Sequence, residues 1–439
     1  MTLMNTGREG LAYQALDSLK LILRDRKMTS QNNSKKMTGD RQKVLILSWL
    51  YPLPENSGGS MRTMHFVRFF QARGFDVDLA YRDRIPGAES TNSLFSREYF
   101  LKALPGDSLF REFVKKLNRR CIERIPHMVV DYEAASQEEL VSAIESEEYT
   151  FILARYLYDT AILFMIPEYR TRIIIDFDDV LSGPIFAMHN PPNTALAGKL
   201  KNLFRKRLLI QYERKCLGFG AALFCSEQDR GAIAGKNENA FVVPNVFQGN
   251  SFGGYEFGNG FNNGNILLFV GTLSYLANAE GLKWFVKYIF PSFRENYQDA
   301  KLLVVGASPS EDIRTLCQEK GLQLHPDVAD VKEYYRMCKA VIVPLLSGAG
   351  TRIKILEAGL ANRPVLSTPL GAEGLDFRDG DELLLFQSTV DFLTKYQVLN
   401  RAEKYDQLAR NAKRLVKEKF SVPQFDKSMN KVLEAMGIF

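Results

Sequence analysis

Short apolar runs alternate with helical segments in two separate series along this chain, and this alternation restricts the fold more than any other feature. The first series opens with an apolar run at 44–47, passes through a glycine-rich loop, and continues with a helix predicted over 61–73 and a strand predicted over 75–79. Gly74 stands where a left-handed residue would end the helix. This order predicts parallel pairing, because parallel strands need a crossover that a helix supplies.

The same alternation restarts at residue 266. Strands are predicted at 266–270, 302–305, 340–343 and 364–367, and helices at 279–290, 311–320 and 351–360. Gly and Asn dominate residues 248–265, so this stretch is interpreted as a flexible linker. The predicted fold class is therefore α/β, with two Rossmann-like, doubly wound domains whose ligand sites face one cleft at the carboxyl ends of the strands.

Domain boundaries follow from these patterns. Residues 1–40 combine an apolar helical pattern with a polar tract and are interpreted as a partly flexible N-terminal extension. Residues 41–247 are the first predicted domain, and residues 266–420 are the second. We expect the second domain to provide most of the ligand-binding residues.

The composition of the 439 residues excludes several classes of protein. Hydrophobic residues make up 46% and charged residues 25%, which argues against a disordered chain. The five cysteines form no CxxC pair, which disfavours a disulfide framework or zinc site and favours a reducing compartment. No signal peptide is recognised and no apolar run approaches the ~20 residues that cross a bilayer. We expect a cytoplasmic protein, with any membrane association peripheral at the inner face.

The stretch 344–374 carries the most chemical information. A loop of small residues ends at Gly350, and a helix is predicted to open at Thr351. Glycine lets backbone N–H groups approach a ligand, and a helix start adds partial positive charge. Arg352 and Lys354 lie in the first turn, where basic side chains oppose the helix dipole, so we predict that they bind a diphosphate. The alternative is that both side chains extend into solvent.

Glu357 follows in the same predicted helix. Its neighbours at 355, 356, 358 and 360 are apolar, which argues against a solvated surface position. A carboxylate accepts hydrogen bonds from two hydroxyls at once, as a ribose diol requires. Glu357 is therefore a candidate ligand of a nucleotide.

Residues 350–375, GTRIKILEAGLANRPVLSTPLGAEGL, resemble the donor-binding motif of family 4 retaining glycosyltransferases. The resemblance implies the GT-B fold, no bound metal or cofactor, and a UDP- or GDP-linked sugar as the donor substrate. It assigns Glu357 to the nucleotide ribose. The family's first glutamate, which helps to hold the transferred sugar, corresponds here to Ala349.

Weaker matches place further residues at the donor. Gly271 and Thr272 stand in the loop where the family has an arginine for the diphosphate, and we assign the missing charge to Arg352 and Lys354. Val328 corresponds to the part of the family that lines the base pocket, where its backbone would face the base.

In the first domain, Gly58 and Gly59 resemble the centre of the glycine loop that covers the diphosphate. Residues 421–439 resemble the helix that returns to the N-terminal domain in this fold.

Three carboxylates, Asp176, Asp178 and Asp179, follow an apolar strand. We expect this position to face the cleft, where Asp178 contacts the acceptor or the sugar. The alternative is capping of a helix by Asp178 or Asp179. Asp178, Arg352 and Lys354 are the candidate catalytic residues.

Residues 199–215 interleave basic and apolar side chains at helical spacing. Such a helix either lies on an anionic membrane or packs on the sheet with a solvated face. The first reading, with the formal net charge of +6, fits a lipid-linked acceptor at a membrane surface.

The predicted function is transfer of a sugar, with retention, from a nucleoside-diphosphate sugar to a saccharide or lipid-linked acceptor in surface polysaccharide or glycoconjugate synthesis. A nucleotide-sugar epimerase or hydrolase would use the same architecture. A non-catalytic assembly subunit is a further alternative, because Ala349 stands where the family has its first glutamate. No motif for reading nucleic acid accompanies the basic charge, so a nucleic-acid partner is not expected.

Overall fold

The computed structural model describes residues 42–55, 58–83, 94–102, 126, 132–183, 186, 196–247, 255–348 and 352–438. The fold is built on two parallel β-sheets, one before residue 243 and one after residue 265. The predicted N-terminal extension lies outside these ranges.

The first sheet has seven strands in the order β3-β2-β1-β4-β5-β6-β7. The strands are β1 (Lys43–Leu50), β2 (Asp76–Asp83), β3 (Glu98–Phe100), β4 (Phe151–Arg155), β5 (Ile173–Asp176), β6 (Ala221–Phe224) and β7 (Ala240–Val242). The described helices around it are α1 (Gly58–Gln71), α2 (Ala134–Glu147), α3 (Leu196–Cys216) and α4 (Glu227–Ile233), with 3₁₀ turns at Thr160–Met165 and Pro167–Arg172.

The apolar run in β1 explains why this sheet lies in the interior. Leu45 and Leu47 belong to the core cluster on one face, whereas Val44 and Ile46 belong to the cluster on the other. All four are at most 1% exposed. A parallel sheet covered on both faces needs such a continuous apolar strand.

The second sheet has six strands in the order β10-β9-β8-β11-β12-β13. The strands are β8 (Ile266–Val270), β9 (Lys301–Gly306), β10 (Leu322–Pro326), β11 (Ala340–Val343), β12 (Val365–Ser367) and β13 (Leu384–Leu385). The described helices that accompany it are α5 (Leu276–Tyr288), α6 (Phe290–Asn296), α7 (Glu311–Leu316), α8 (Lys332–Met337), α9 (Ile353–Leu360), α10 (Thr389–Val398) and α11 (Ala402–Lys419), with a 3₁₀ turn at Leu370–Ala372.

Helix boundaries differ from the predicted ones at several places, and α5 spans Leu276–Tyr288 instead of 279–290. Helix α1 begins at Gly58, three residues before the predicted start at 61, and α7 ends at Leu316 instead of 320. Helix α9 begins at Ile353, so that Arg352 precedes the first turn. Two glycines favour no helix by themselves, and the carbonyl of Gly59 is held by the Thr63 hydroxyl at 3.0 Å and by Arg155. The contact with Arg155, which lies 96 residues further along the chain, is not visible in local propensity.

The end of the chain packs on the first sheet. Helix α12 (Val422–Ala435) contributes its buried side chains to the same core cluster as α1. The Phe425 ring lies 5.2 Å from the Phe66 ring and 5.9 Å from the Phe69 ring, both in edge-to-face geometry. The polypeptide therefore crosses back to the first half after completing the second.

Part of the predicted linker is packed rather than flexible. The fully buried Arg363 donates to the carbonyl of Phe257 at 2.9 Å and to that of Gly258 at 3.1 Å. Asn263 donates to the carbonyl of Cys338 at 2.9 Å. Residues 255–265 are thus anchored on the second sheet, and the expectation of flexibility is wrong for them because asparagine amides and a buried arginine satisfy their backbone. Residues 248–254 lie outside the described ranges.

Helix α3 is buried in its second half and exposed in its first. Leu208 and Leu209 are buried, whereas Leu200, Leu203 and Phe204 are 58%, 66% and 52% exposed. Within the described part of the chain, no helix is long and apolar enough to span a bilayer.

Replacing Phe425 with Ala tests the packing of α12. Phe425 is 2% exposed against two aromatic rings, so its loss leaves a cavity that we expect to lower the free energy of unfolding by about 3–5 kcal/mol. Urea unfolding measures the change. Lys427→Ala, on the exposed face of the same helix, should change stability by no more than about 0.5 kcal/mol. Equal effects of the two variants would contradict this packing.

Candidate functional site

The carboxyl edges of the two sheets face one crevice. A cavity between them is lined by Asp178 and Asp179 from the first half and by Arg352 and Glu373 from the second. Gln228 donates to Glu373 across the crevice at 3.1 Å. This is the position at which open parallel sheets bind their ligands.

Arg352 stands at the entrance of α9 and is 5% exposed. Its Nη2 donates to the carbonyl of Gly348 at 3.0 Å and to that of Leu370 at 3.3 Å. Burial lowers the pKa of this guanidinium, while Asp179 and Glu373 act in the opposite direction. Arg352 therefore presents a cation to the crevice and does not extend into solvent.

Lys354, the second residue of α9, lies beside the loop that follows β8. A Cβ placed on Gly271 would lie 2.9 Å from the Lys354 ammonium and 2.7 Å from the Asn278 amide. Burial, reinforced by the charge of Arg352, lowers the pKa of Lys354 to about 7. Among the described residues, no carboxylate lies within salt-bridge distance of Lys354. An enclosed ammonium of this kind is stabilised by an incoming anion.

Asn278 lies in the same cluster as the predicted residues, although nothing in the sequence pattern identified it. Its Oδ1 accepts from Lys354 at 2.8 Å, and its Nδ2 donates to the carbonyl of Thr272 at 2.9 Å. Gly271, Thr272 and Lys354 are thereby brought into one cluster. A single asparagine one helical turn into α5 carries no local signal that distinguishes it from a surface residue.

Glu357 is oriented by a buried tyrosine. The Tyr335 hydroxyl donates to Oε2 of Glu357 at 2.7 Å. Burial raises the pKa of Glu357, and the Tyr335 hydroxyl together with Lys354 acts against that rise. The other carboxylate oxygen of Glu357, Oε1, remains to accept hydrogen bonds from a pair of hydroxyl groups. Tyr335, on α8, is a supporting residue that the sequence analysis did not identify.

Gly58 and Gly59 open α1 directly across from α9. A Cβ on Gly58 would lie 3.3 Å from Cδ1 of Ile353, the first residue of α9. A Cβ on Gly59 would collide with the Tyr156 hydroxyl. Because Gly58 has no side chain, the N-terminus of α1 approaches the second half closely, and its helix dipole points toward the crevice.

Two buried arginines fix this edge of the first sheet. Arg62 forms a bidentate pair with Asp176, at 2.9 and 2.8 Å, and Arg155 also donates to Asp176. Arg155 further donates to the Gly59 carbonyl at 3.3 Å and to Oδ2 of Asp178 at 3.1 Å. Asp176 is therefore a buried anchor and does not reach the cleft, contrary to the expectation that all three carboxylates would.

Of the three carboxylates after β5, Asp178 and Asp179 line the crevice, together with Asp229 and Glu373. Burial acts to raise the pKa of Asp178, but Arg155 and Arg62 overcome it and hold the pKa below its usual value. Burial and the Asp178 charge raise the pKa of Asp179 to about 7. The pair thus places one negative charge and one neutral or negative group beside a ligand bound in the crevice. Neither residue caps a described helix.

The remaining predicted residues stand apart from this cluster. Val328 lies in the loop after β10 and packs against buried apolar residues of the second half. Strand β10 is three positions from β11, or roughly 14 Å across the sheet. Gly350 and Thr351 lie outside the described residues, as does Ala349.

The arrangement is chemically that of an anion site with a polyol site beside it. Lys354, Arg352 and the start of α1 converge from two sides and would attract a diphosphate. Glu357 offers a fixed carboxylate one turn further along α9. Asp178 and Asp179 lie on the opposite wall, where they can accept hydrogen bonds from hydroxyls.

Comparison with known proteins agrees with this geometry. Residues 264–399 match the model of the glycosyl transferases group 1 family. An uncharacterized 44.6 kDa protein in the cps region of Klebsiella pneumoniae is 22% identical over 365 residues, which cover 80% of this chain and 89% of that protein. The similarity to the glycosyl transferases group 1 family thus lies in the second half of the chain.

Solved structures share the whole architecture. Anabaena HepE in complex with UDP and glucose matches with a TM-score of 0.59 at 14% identity, over 90% of this chain and 100% of that chain. Sucrose-phosphate synthase from Thermosynechococcus elongatus matches with a TM-score of 0.62 at 15% identity, over 91% and 100%. WaaG, a glycosyltransferase involved in lipopolysaccharide biosynthesis, matches with a TM-score of 0.58 at 14% identity, over 90% and 100%. At these identities the likeness establishes the fold, which is GT-B as predicted.

Replacing Lys354 with Met removes the enclosed ammonium and keeps an unbranched chain. The pKa of Lys354 is about 7 in the folded protein and 10.5 in a solvated chain, so folding releases this proton between those pH values. The cost of enclosing the ammonium is therefore full below pH 7, still large at pH 7, and lost as pH rises toward 10.5. We expect Lys354→Met to be more stable than the parent protein at pH 7, with an advantage that shrinks at pH 8 and 9.

Urea unfolding of both proteins at these three pH values measures the difference. Lys320→Met, at an exposed position, is the matched control and should show little difference at any pH. An advantage of Lys354→Met that stays constant from pH 7 to pH 9 would show that the ammonium is well solvated.

Proposed function

We propose that this protein is a glycosyltransferase that moves a sugar from a nucleoside-diphosphate sugar to a saccharide or lipid-linked acceptor, with retention of the anomeric configuration. The observation that carries the proposal is the enclosed ammonium of Lys354 beside Gly271. Burial lowers its pKa, and within the described residues it donates to the amide oxygen of Asn278 and forms no ion pair with a carboxylate. A diphosphate in the crevice would neutralise it. The glycosyl transferases group 1 match over 264–399 supports the same reading.

The donor is proposed to lie along the start of α9. Lys354, Arg352 and the N-terminus of α1 would bind the diphosphate, and Glu357 the ribose hydroxyls. Val328 would face the base, which sits at the far end of the nucleotide from the phosphates. Gly350 and Thr351 remain proposed donor ligands from the sequence pattern. A UDP-linked sugar is the first donor to test, because Anabaena HepE, with the same fold, is described in complex with UDP-glucose.

Charge development explains how these residues would accelerate transfer. The leaving diphosphate gains negative charge as the glycosidic bond breaks, and fixed cations and helix N–H groups stabilise that charge without reorganisation. Asp178 and Asp179 would position the acceptor hydroxyl from the opposite wall. The leaving phosphate itself can take the acceptor's proton, so the scheme needs no separate protein base.

Surface polysaccharide synthesis is the proposed setting. WaaG is involved in lipopolysaccharide biosynthesis, and the relative from Klebsiella pneumoniae is described as lying in the cps region. Acceptors in such a setting are often held at a membrane, which leads to a proposed location at the cytoplasmic face.

The exposed half of α3 is the proposed membrane contact. Leu200, Leu203 and Phe204 are each more than half exposed, and Lys201 and Lys206 beside them are exposed as well. Apolar side chains within a basic surface match an anionic lipid layer, which attracts each cation by about 1 kcal/mol.

Nucleotide binding tests the donor assignment. Thermal shift with UDP, GDP and 2′,3′-dideoxy-UDP measures which base binds and whether the ribose hydroxyls contribute. We expect Lys354→Met to weaken diphosphate binding about 10- to 100-fold, as for the loss of a charged hydrogen bond of about 1.5–3 kcal/mol. Glu357→Gln should weaken UDP by a similar factor but leave dideoxy-UDP unchanged, so that the preference for the ribose diol disappears. Lys320→Met is the control and should bind as the parent does.

An unchanged preference for UDP over dideoxy-UDP in Glu357→Gln would remove Glu357 from the ribose site. Donor consumed at the same rate with and without acceptor would identify a hydrolase or epimerase. UDP binding without any turnover of UDP-sugars would identify a non-catalytic subunit.

Vesicle flotation tests the membrane contact. We expect the protein to float with phosphatidylglycerol vesicles at low salt and to remain in solution with phosphatidylcholine vesicles. Replacing Leu200, Leu203 and Phe204 by Gln should reduce the bound fraction at least tenfold. Val390→Gln/Met337→Gln, which changes exposed apolar residues of the second half, is the control. Equal flotation of both variants would contradict the proposed contact.

A further inference from the structure

A second cavity, of about 640 Å³, lies at the carboxyl edge of the first sheet. It is formed by the ends of β1, β4 and β5 and includes Tyr275 from the second half. Its volume lies within the range of roughly 300–1,000 Å³ that is typical of small-ligand sites. Gly59 belongs to both this cavity and the turn proposed to cover the diphosphate, so a molecule bound here would lie next to the donor.

Aromatic rings dominate one side of this cavity. The Trp49 and Tyr156 rings lie 6.4 Å apart in edge-to-face geometry, and the Tyr156 and Tyr158 rings 6.3 Å apart. All three are partly exposed. Flat apolar faces with polar edges suit a ring that carries C–H bonds on one face and hydroxyls around its rim, which is the shape of a pyranose.

The charged groups around the cavity restrict which sugars can bind in it. Asp178 and Asp179 belong to the lining, and none of the described lining residues is Lys or Arg. The guanidinium of Arg82 lies 5.9 Å from the Trp49 ring and is engaged by Asp83 and Asp159, at 3.1 and 3.7 Å. An anionic sugar entering here would meet the Asp178 carboxylate, and the neighbouring guanidinium groups of Arg82 and Arg155 are already engaged by carboxylates, which favours rejection of such a sugar.

The polar groups of the cavity are held in place before any ligand arrives. Tyr156 and Asp178 both have left-handed backbones, with φ of 72° and 54°. Arg155 donates to the Tyr156 hydroxyl and to Asp178, each at 3.1 Å, and is itself fully buried. Non-glycine residues held in this conformation are concentrated at functional sites, because surrounding contacts must maintain them.

We infer that this cavity binds the terminal sugar of the acceptor, and that this sugar is an uncharged or amino sugar, not a uronic acid or a phosphorylated residue. The inference rests on the proposed function and specifies its acceptor. The Trp49 ring stacks on the sugar face, and Asp178 and Asp179 accept hydrogen bonds from its hydroxyl groups or from an ammonium group.

An array of immobilised oligosaccharides tests this inference with a readout independent of turnover. The full-length protein, saturated with UDP, is applied to oligosaccharides that end in neutral sugars, amino sugars, uronic acids or sugar phosphates. We expect retention on glycans with neutral or amino ends and at least tenfold less on the acidic series. Trp49→Ala should lose this retention. Trp284→Phe should keep it, because Trp284 stacks on Phe386 among the buried residues of the second half, away from this cavity.

Intrinsic fluorescence then locates the sugar. The chain has two tryptophans, so in the Trp284→Phe variant all tryptophan emission comes from Trp49. Titration with the glycan best retained on the array should shift this emission in a saturable manner.

Retention on acidic glycans, or on no glycan at all, by a protein that still shows a thermal shift with UDP would overturn the inference and leave the donor assignment standing. Binding of neutral glycans that quenches Trp49, in a protein without any response to nucleotides, would uphold this cavity as a sugar site and remove the transferase proposal.

Discussion

The Lys354 ammonium, enclosed beside the Gly271 loop, is the interaction on which the account of this crevice depends. This ammonium donates to the amide oxygen of Asn278 and lies 5.1 Å from the centre of the Phe269 ring, and burial lowers its pKa to about 7. A charge held in this way destabilises the empty protein, and the cost is recovered when an anion binds. Arg352 and the start of α1 add positive potential from neighbouring directions. The site is therefore arranged for a ligand with more than one negative charge, and it is least stable when that ligand is absent.

The opposite wall is organised by a different principle. There the buried charges are fully matched, since Asp176 accepts from both Arg62 and Arg155. Arg155 extends this network to the Gly59 carbonyl and to Asp178, so the glycine turn and the crevice carboxylate share one rigid support. A satisfied network of this kind fixes geometry more than it adds stability. One wall thus supplies enclosed positive charge for the donor, and the other supplies positioned oxygen atoms for an acceptor.

The sequence predicts the fold and part of the site, and the division has physical reasons. Apolar runs such as 44–47 and 266–270 predict the strands because parallel sheets need them, and Lys354 and Glu357 stand out because charged residues are rare in an apolar helix. Arg155 and Asn278 were not identified, because their importance comes from long-range contacts. Arg155 meets Asp176 through the pairing of β4 with β5, and Asn278 meets Lys354 across 76 residues. The flexible reading of 255–265 failed for the same reason, since Arg363 binds it from another part of the chain.

A crystal structure of the protein with UDP bound tests the central claim most directly. The account predicts that the Lys354 ammonium leaves the Asn278 amide oxygen and donates to a phosphate oxygen, with the ribose hydroxyls on Glu357 and the N-terminus of α1 facing the diphosphate. A diphosphate bound elsewhere, with Lys354 still donating to Asn278, would contradict the account.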